Sequence, residues 1–120
     1  MIGQVHETGA MKIDANTSPR GEDGLRHLAG SQKMAMRLWD KEEPGDWEPA
    51  HSHAYETVGY VVDGRAELQI EGQTLTLGPG DSWVVPAGAR HAYRTVERFT
   101  AVEATHPSYR AGGEKAQPNS

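Results

Sequence analysis

Residues 45–64 read GDWEPAHSHAYETVGYVVDG, and residues 80–95 read GDSWVVPAGARHAYRT. In the first stretch His51 and His53 stand two apart, just before a run dense in β-formers, Thr57-Val58-Gly59-Tyr60-Val61-Val62. On a strand that spacing puts both imidazoles on one face. Two imidazoles need this arrangement to bind one metal ion from adjacent positions. In the second stretch the dense run Ser82-Trp83-Val84-Val85 leads through Pro86-Ala87-Gly88 to His91. A barrel brings His91, on a later strand, opposite the pair. Neutral imidazole suits Fe, Mn, Ni, Cu or Zn, with geometry selecting among them.

Outward from these two stretches the pattern stays short and β-like. Met34, Met36 and Leu38 alternate with polar residues, the period of a half-buried strand with those three toward the core. Ala66, Leu68 and Ile70 alternate likewise, as do Leu75 and Leu77. Asp63-Gly64 is a hairpin signal, because tight hairpin turns require positive φ. Further turns fall at Glu71-Gly72, Gly78-Pro79-Gly80 and Pro86-Ala87-Gly88. About eight strands at spacings of roughly 8–12 residues predict an all-β sandwich or barrel.

The chain has 120 residues and no cysteine, which excludes disulfides, zinc ribbons and thiol nucleophiles. No apolar run is long enough to span a membrane as a helix, and the N-terminus has no basic stretch followed by an apolar one, so a cytoplasmic protein is expected. Twelve Lys/Arg against 17 Asp/Glu leave a net charge of −5, which argues against nucleic acid and anionic membranes as partners. Ile, Leu, Val and Phe number 18, and 13 of them lie between Ser31 and Ala104, so the barrel is expected over residues 31–104. Residues 1–30 are expected to carry a short strand over 2–13 and a loop with one helical turn near Leu25–Leu28. Residues 105–120 hold no aliphatic anchor and are expected to form a mobile tail.

The two long stretches resemble the motifs of the cupin superfamily, G-x5-H-x-H-x3,4-E-x6-G and G-x5-P-x-G-x2-H-x3-N. Gly45, His51, His53, Gly64, Gly80, Pro86, Gly88 and His91 all match. The resemblance covers residues of about 31–104. It implies a jelly-roll β-barrel that holds one divalent transition metal on His51, His53 and His91.

Two positions depart from the motifs. Counting back from Gly64, the carboxylate position is Thr57, while Glu56 is one residue early. A one-residue shift on a strand reverses the face. Glu56 therefore either points away from the metal or reaches it through a bulge, and Thr57 faces inward, where its hydroxyl can orient a metal-bound water. Three neutral imidazoles leave the ion its full +2 charge, which favours an anionic, bidentate oxygen ligand. Thr57 and Gly59, both small, are expected to leave room for it. The second departure, Thr95 in place of Asn, is expected to be structural. Tyr93 shares the face of His91 as a pocket wall or hydrogen-bond donor. Glu103, on the inward face of the last strand, is open to three roles, a partner for a ligand histidine, a general base or a rim carboxylate, with the rim preferred; Tyr55 and Trp47 are expected at the mouth or in a dimer contact.

The expected function is a metal-dependent enzyme acting on a small oxygen-rich molecule, such as a diketone, a catechol-like compound or an organic acid. Dioxygenase and isomerase or lyase chemistry are both open. Glu56, Thr57 and Tyr93 are the candidate catalytic residues. The alternative is a non-catalytic module that binds or senses a small metabolite around a structural metal, since a fold alone does not choose a function. A homodimer is expected, with residues 2–13 added to a sheet edge and Tyr60 or Trp39 buried between subunits.

Overall fold

The computed structural model describes residues 3–5 and 10–109. Eight strands follow one another: β1 (Gly3–Val5), β2 (Met11–Ile13), β3 (Arg26–Gly30), β4 (Ala35–Glu42), β5 (Glu56–Ile70), β6 (Gln73–Leu77), β7 (Ser82–Val85) and β8 (His91–His106). A 3-10 turn at Ala15–Thr17 is started by Asp14, whose carboxylate accepts the Asn16 N–H at 2.9 Å. Among the described residues no helix is long and apolar enough to cross a membrane.

β1 and β2 pair with each other, while the other strands form one antiparallel sheet in the order β3-β4-β8-β5-β6, with β7 also on β5. The sheet is organised by its two longest strands, β5 and β8, which pair from Glu56↔His106 to Ile70↔His91. The other edge of β5 is shared. β7 covers Thr57–Tyr60, and β6 covers Ala66–Ile70. Between these halves the register of β5 against β8 slips from Val61 to Ala66.

Asp63-Gly64 lies at that slip. It is a bend within β5 and not the hairpin its sequence predicts. Gly64 has φ +84°, and a Cβ there would come 1.8 Å from the Arg98 carbonyl oxygen, so glycine is required for the two strands to approach. The tight hairpin falls at Glu71-Gly72, with φ +51° and +79°, joining the paired residues Ile70 and Gln73.

The core enclosed by the sheet includes Val61, Leu68, Trp83, Phe99 and Ala101. Trp39 packs edge-on against Tyr93 at 4.9 Å and Phe99 at 5.6 Å. β4 reverses the face expected from its apolar alternation. Ala35, Arg37 and Trp39 are buried, whereas Met34 and Met36 are 50% and 39% exposed. The inner face of β4 carries an arginine because the facing strand β8 supplies a carboxylate, Glu103, directly opposite it. Trp39, expected on the outside, is therefore a core residue.

The flanks differ from expectation in two further places. Leu25–Leu28 forms no helical turn. Leu25 enters the core, and Arg26 and His27 pair with Leu38 and Arg37 on β4. The segment after Ala104 is also not a free tail at its start. β8 runs on to His106, and Ser108 and Tyr109 are buried, with the Tyr109 N–H donating to Thr105 Oγ1 at 3.0 Å. The anchor that the aliphatic count missed is an aromatic ring. The remainder of the expected tail, and parts of the expected strand over 2–13, lie outside the described residues. Within this chain the described parts of that strand form the β1–β2 ribbon and not an addition to the large sheet.

Candidate metal centre and its cavity

The backbone sets the positions of the three histidines, but the pair lies in the loop before β5 and not on the expected strand, because that loop is attached step by step to β8. His51 and His91 form an isolated antiparallel bridge, each donating its N–H to the other's carbonyl at 2.9 Å. Two further bonds join the preceding loop to β8: Gly45 N–H to the Thr95 carbonyl, and Glu48 N–H to the Tyr93 carbonyl, both 3.1 Å. On the other side the Gly88 N–H donates to the His53 carbonyl at 2.8 Å. The turn at Pro86–Gly88 thereby holds the histidine pair beside His91.

One nitrogen from each of His51, His53 and His91 lies within 4.8 Å of the other two. His51 Nδ1 lies 3.1 Å from the Pro49 carbonyl, and His91 Nδ1 lies 2.9 Å from the Ala89 carbonyl. A carbonyl only accepts, so in the neutral rings Nδ1 carries the hydrogen and Nε2 keeps a lone pair for a metal. His53 Nδ1 is buried with no hydrogen-bond partner, and its ring stacks on Tyr55 at 4.4 Å and 11°. Burial, reinforced by His51, His91 and Arg37, lowers His53 to about 3. Burial also lowers His91, outweighing the Ala89 bond. Burial thus favours His53 and His91 as neutral imidazoles, the form that metal binding requires, and the three converging ring nitrogens fit a divalent transition ion.

The trio lies in the wall of a cavity of about 510 Å³. Thr57 and Tyr93 line it and are buried, at 5% and 7% exposure. Burial raises Tyr93 well above the ordinary phenol range, so its hydroxyl stays protonated, and its oxygen accepts the Trp83 Nε1–H at 3.0 Å. Glu56 is exposed at the start of β5, does not line the cavity, and is not brought to the trio. The space at Gly59 is not left for a ligand. A Cβ there would lie 2.3 Å from the Trp83 ring, so the indole occupies it. Tyr55 is buried in the cavity wall, while Trp47 lies off the cavity under the Arg94 guanidinium at 5.0 Å. Thr95 also contributes to the wall.

Glu103 is 4% exposed and therefore not at the rim. Its Oε2 accepts Arg37 Nε at 2.9 Å and Nη2 at 2.6 Å, and its Oε1 accepts Trp39 Nε1 at 2.8 Å. Arg37 also bonds Asp23 Oδ2 at 2.7 Å and lies 4.4 Å from the Tyr109 ring centroid. Burial acts to lower its guanidinium, but Glu103, Tyr55 and Asp23 together outweigh it and raise it. Arg37, Tyr109 and Glu48 are cavity residues that the sequence reading passed over. Only Glu48 had a legible signal, three residues before His51 in the same stretch. Its carboxyl is raised by partial burial, against which His51 acts to lower it.

Comparison with known proteins agrees with this geometry. The chain is 40% identical to the dimethylsulfoniopropionate lyase DddQ of Ruegeria pomeroyi over 55 residues, 45% of this chain and 27% of that protein. It is 32% identical to the quercetin 2,3-dioxygenase of Bacillus subtilis over 83 residues, 65% of this chain and 25% of that protein. The chain thus spans about a quarter of the length of these curated relatives. An RmlC-like cupin from Shewanella frigidimarina superposes with a TM-score of 0.71 at 18% identity, covering 89% of this chain and 95% of that one, a likeness of fold. The Cupin domain family matches residues 40–104. With the three histidines gathered beside the bent β5–β8 frame and that match over more than half its length, the chain belongs to the cupin domain family.

Proposed function

We propose that this cupin is a metal-dependent enzyme acting on a small oxygen-rich organic molecule that chelates the metal, with dioxygenase chemistry on a diketone or catechol-like substrate. The observation that carries the reading is the three-histidine cluster in the wall of a cavity large enough for such a molecule. A divalent ion held by His51, His53 and His91 would act as a Lewis acid toward substrate oxygens. Thr57 occupies the inward position where the family motif has a carboxylate, leaving the ion's charge to an anionic substrate oxygen. Tyr93, kept protonated, lines the cavity with its oxygen held by Trp83. Trp39, Tyr55 and Tyr109 add aromatic surface to the wall, with Tyr55 directly beside His53. The dioxygenase reading is supported by the likeness to quercetin 2,3-dioxygenase. A second reading, isomerase or lyase chemistry on an organic acid, is supported by the likeness to DddQ.

The test is elemental analysis followed by an oxygen-uptake screen over small diketones and catechols. The expected result is about one transition metal per chain, lost in His91→Ala, with substrate-dependent oxygen uptake. A metal-free wild-type protein, or full occupancy in His91→Ala, overturns the site. Ligand binding with no turnover, with or without oxygen, leaves the non-catalytic binding module in place of the enzyme.

The homodimer belongs to this proposal too. On the outer face of the sheet, Val84, Val58, Ala104 and Met36 follow one another across neighbouring strands, and Tyr60, Val102 and Leu38 form the next row. Val58, Tyr60 and Val84 are each about half exposed, which suits a second copy as the cover.

A further inference from the structure

The family motif calls for a carboxylate beside its histidines, and the inward position of β5 offers Thr57 instead. We infer that Glu48, from the loop before the histidine pair, supplies the anionic group of this centre. The inference rests on the proposed metal site.

The loop is fixed to β8 by three successive attachments, Gly45 to Thr95, Glu48 to Tyr93 and His51 to His91. The β8 residues involved alternate, and all three line the cavity. The loop uses three residues for every two of β8, so each step carries an extra residue, as in a bulge. This spacing sets Glu48 one step from the His51–His91 bridge, about 7 Å along the strand. A glutamate side chain together with a bound water or substrate hydroxyl spans that separation.

The charge pattern narrows the choice to Glu22, Asp46 and Glu48, and of these the loop register sets Glu48 nearest the His51–His91 bridge. Seven carboxylates line the cavity, and the other four are already paired. Asp23 and Glu103 hold Arg37, Glu42 holds Arg20 at 2.9 Å, and Glu43 holds Arg98 at 3.3 Å. Among the described residues no arginine or lysine pairs with Glu48; the titratable groups that act on it are His51, which lowers its carboxyl, and Glu42, which raises it. Glu48 lines the same cavity as the three rings, so its carboxylate can offset the charge of an ion held there alongside a substrate oxygen. Glu48 serves as the acceptor for a proton on the water or substrate hydroxyl at the open side of the trio. Its backbone N–H bond to Tyr93 holds it there.

The experiment titrates the metal-free protein with Co2+, reading affinity and the visible Co2+ absorption bands. Glu48→Gln preserves size and the backbone bond while removing the charge. The expected result is a 10- to 100-fold weaker affinity, the range for groups that support metal ligands, and altered bands. Glu48→Asp recovers part of the affinity. Glu97→Gln, which removes the same charge from a surface carboxylate paired with Arg65 and outside the cavity, changes affinity less than twofold. Affinity of Glu48→Gln within twofold of wild type, or an equal loss in Glu97→Gln, overturns the inference while leaving the trio intact. A wild-type chain that takes up no Co2+ overturns both.

Discussion

Removing the carboxylate of Glu103 should cost this protein a large part of its stability, and removing Arg37 with it should return most of the loss. Arg37 and Glu103 are 8% and 4% exposed, and they share two hydrogen bonds at 2.9 and 2.6 Å. Glu103→Leu strands the guanidinium in the wall with Asp23 and Tyr55 as its remaining polar partners, and it leaves Trp39 Nε1–H without its acceptor. Breaking a buried pair on one side costs about 3–5 kcal/mol, against a total of about 5–15 kcal/mol for a domain. At roughly 4 °C per kcal/mol for a domain of this size, the melting temperature falls by about 12–20 °C. Arg37→Met combined with Glu103→Leu replaces the pair by apolar groups of similar volume, and Asp23, part-exposed, regains water. The double variant should lie about 2 kcal/mol or more above the sum of the singles. Urea unfolding followed by tryptophan fluorescence measures all four corners of the cycle, with the slope checked for constancy. A Glu103→Leu loss under about 1 kcal/mol, or additive singles, refutes the reasoning.

Two other outcomes follow from the geometry. The unfolded chain protonates its imidazoles near pH 6.5, whereas the fold holds His53 down at about 3 and His91 below its ordinary value, with burial the first cause for each. The metal-free protein should therefore keep this part of its stability above pH 6.5 and lose it as pH falls toward 3, by at most about 1.4 kcal/mol per pH unit per group before solvent screening. His53→Asn should flatten the stability profile below pH 6.5, and a variant with the wild-type slope refutes the link. Light scattering should give a mass near twice 13.1 kDa for the full chain, and Val58→Glu should shift it toward monomer. A wild-type mass near 13 kDa at micromolar concentration removes the dimer.

The strand count was legible because it follows from local alternation and turn residues, and the histidine trio was legible from the two spaced motifs. The strand expected to carry the histidine pair does not reach it: β5 begins at Glu56, and His51 and His53 sit in the preceding loop, fixed by the bridge to His91 and the bond to Gly88. What the sequence hid was set by residues far apart in the chain. Met34, Met36 and Leu38 looked like a core face because apolar alternation assumes an apolar interior. Here Arg37 points in, because Glu103, on another strand, meets it there. Asp63-Gly64 carries a hairpin's chemistry, but its positive φ serves a bend whose partner is the Arg98 carbonyl. Gly59 looked like room for a substrate, and the indole of Trp83 fills it. The tail's anchor, Tyr109, was discounted because only aliphatic residues were counted.

The bent ladder between β5 and β8 also bears on the order in which the chain assembles. Its nearest pair in sequence is Ile70↔His91 and its most distant is Glu56↔His106. The β5–β6 hairpin closes on a two-residue turn, so it is the cheapest contact to form. β8 then zips from the His91 end, through the slip at Gly64, toward Glu56. His51 bridges to His91 across 40 residues of chain, a longer loop than the 21 between Ile70 and His91, so the metal cluster forms after the ladder has begun. Contacts absent from the transition state slow unfolding and leave folding almost untouched. A bound ion should thus prolong the lifetime of the native state without hastening its formation, and the loss of its ions would shorten that lifetime.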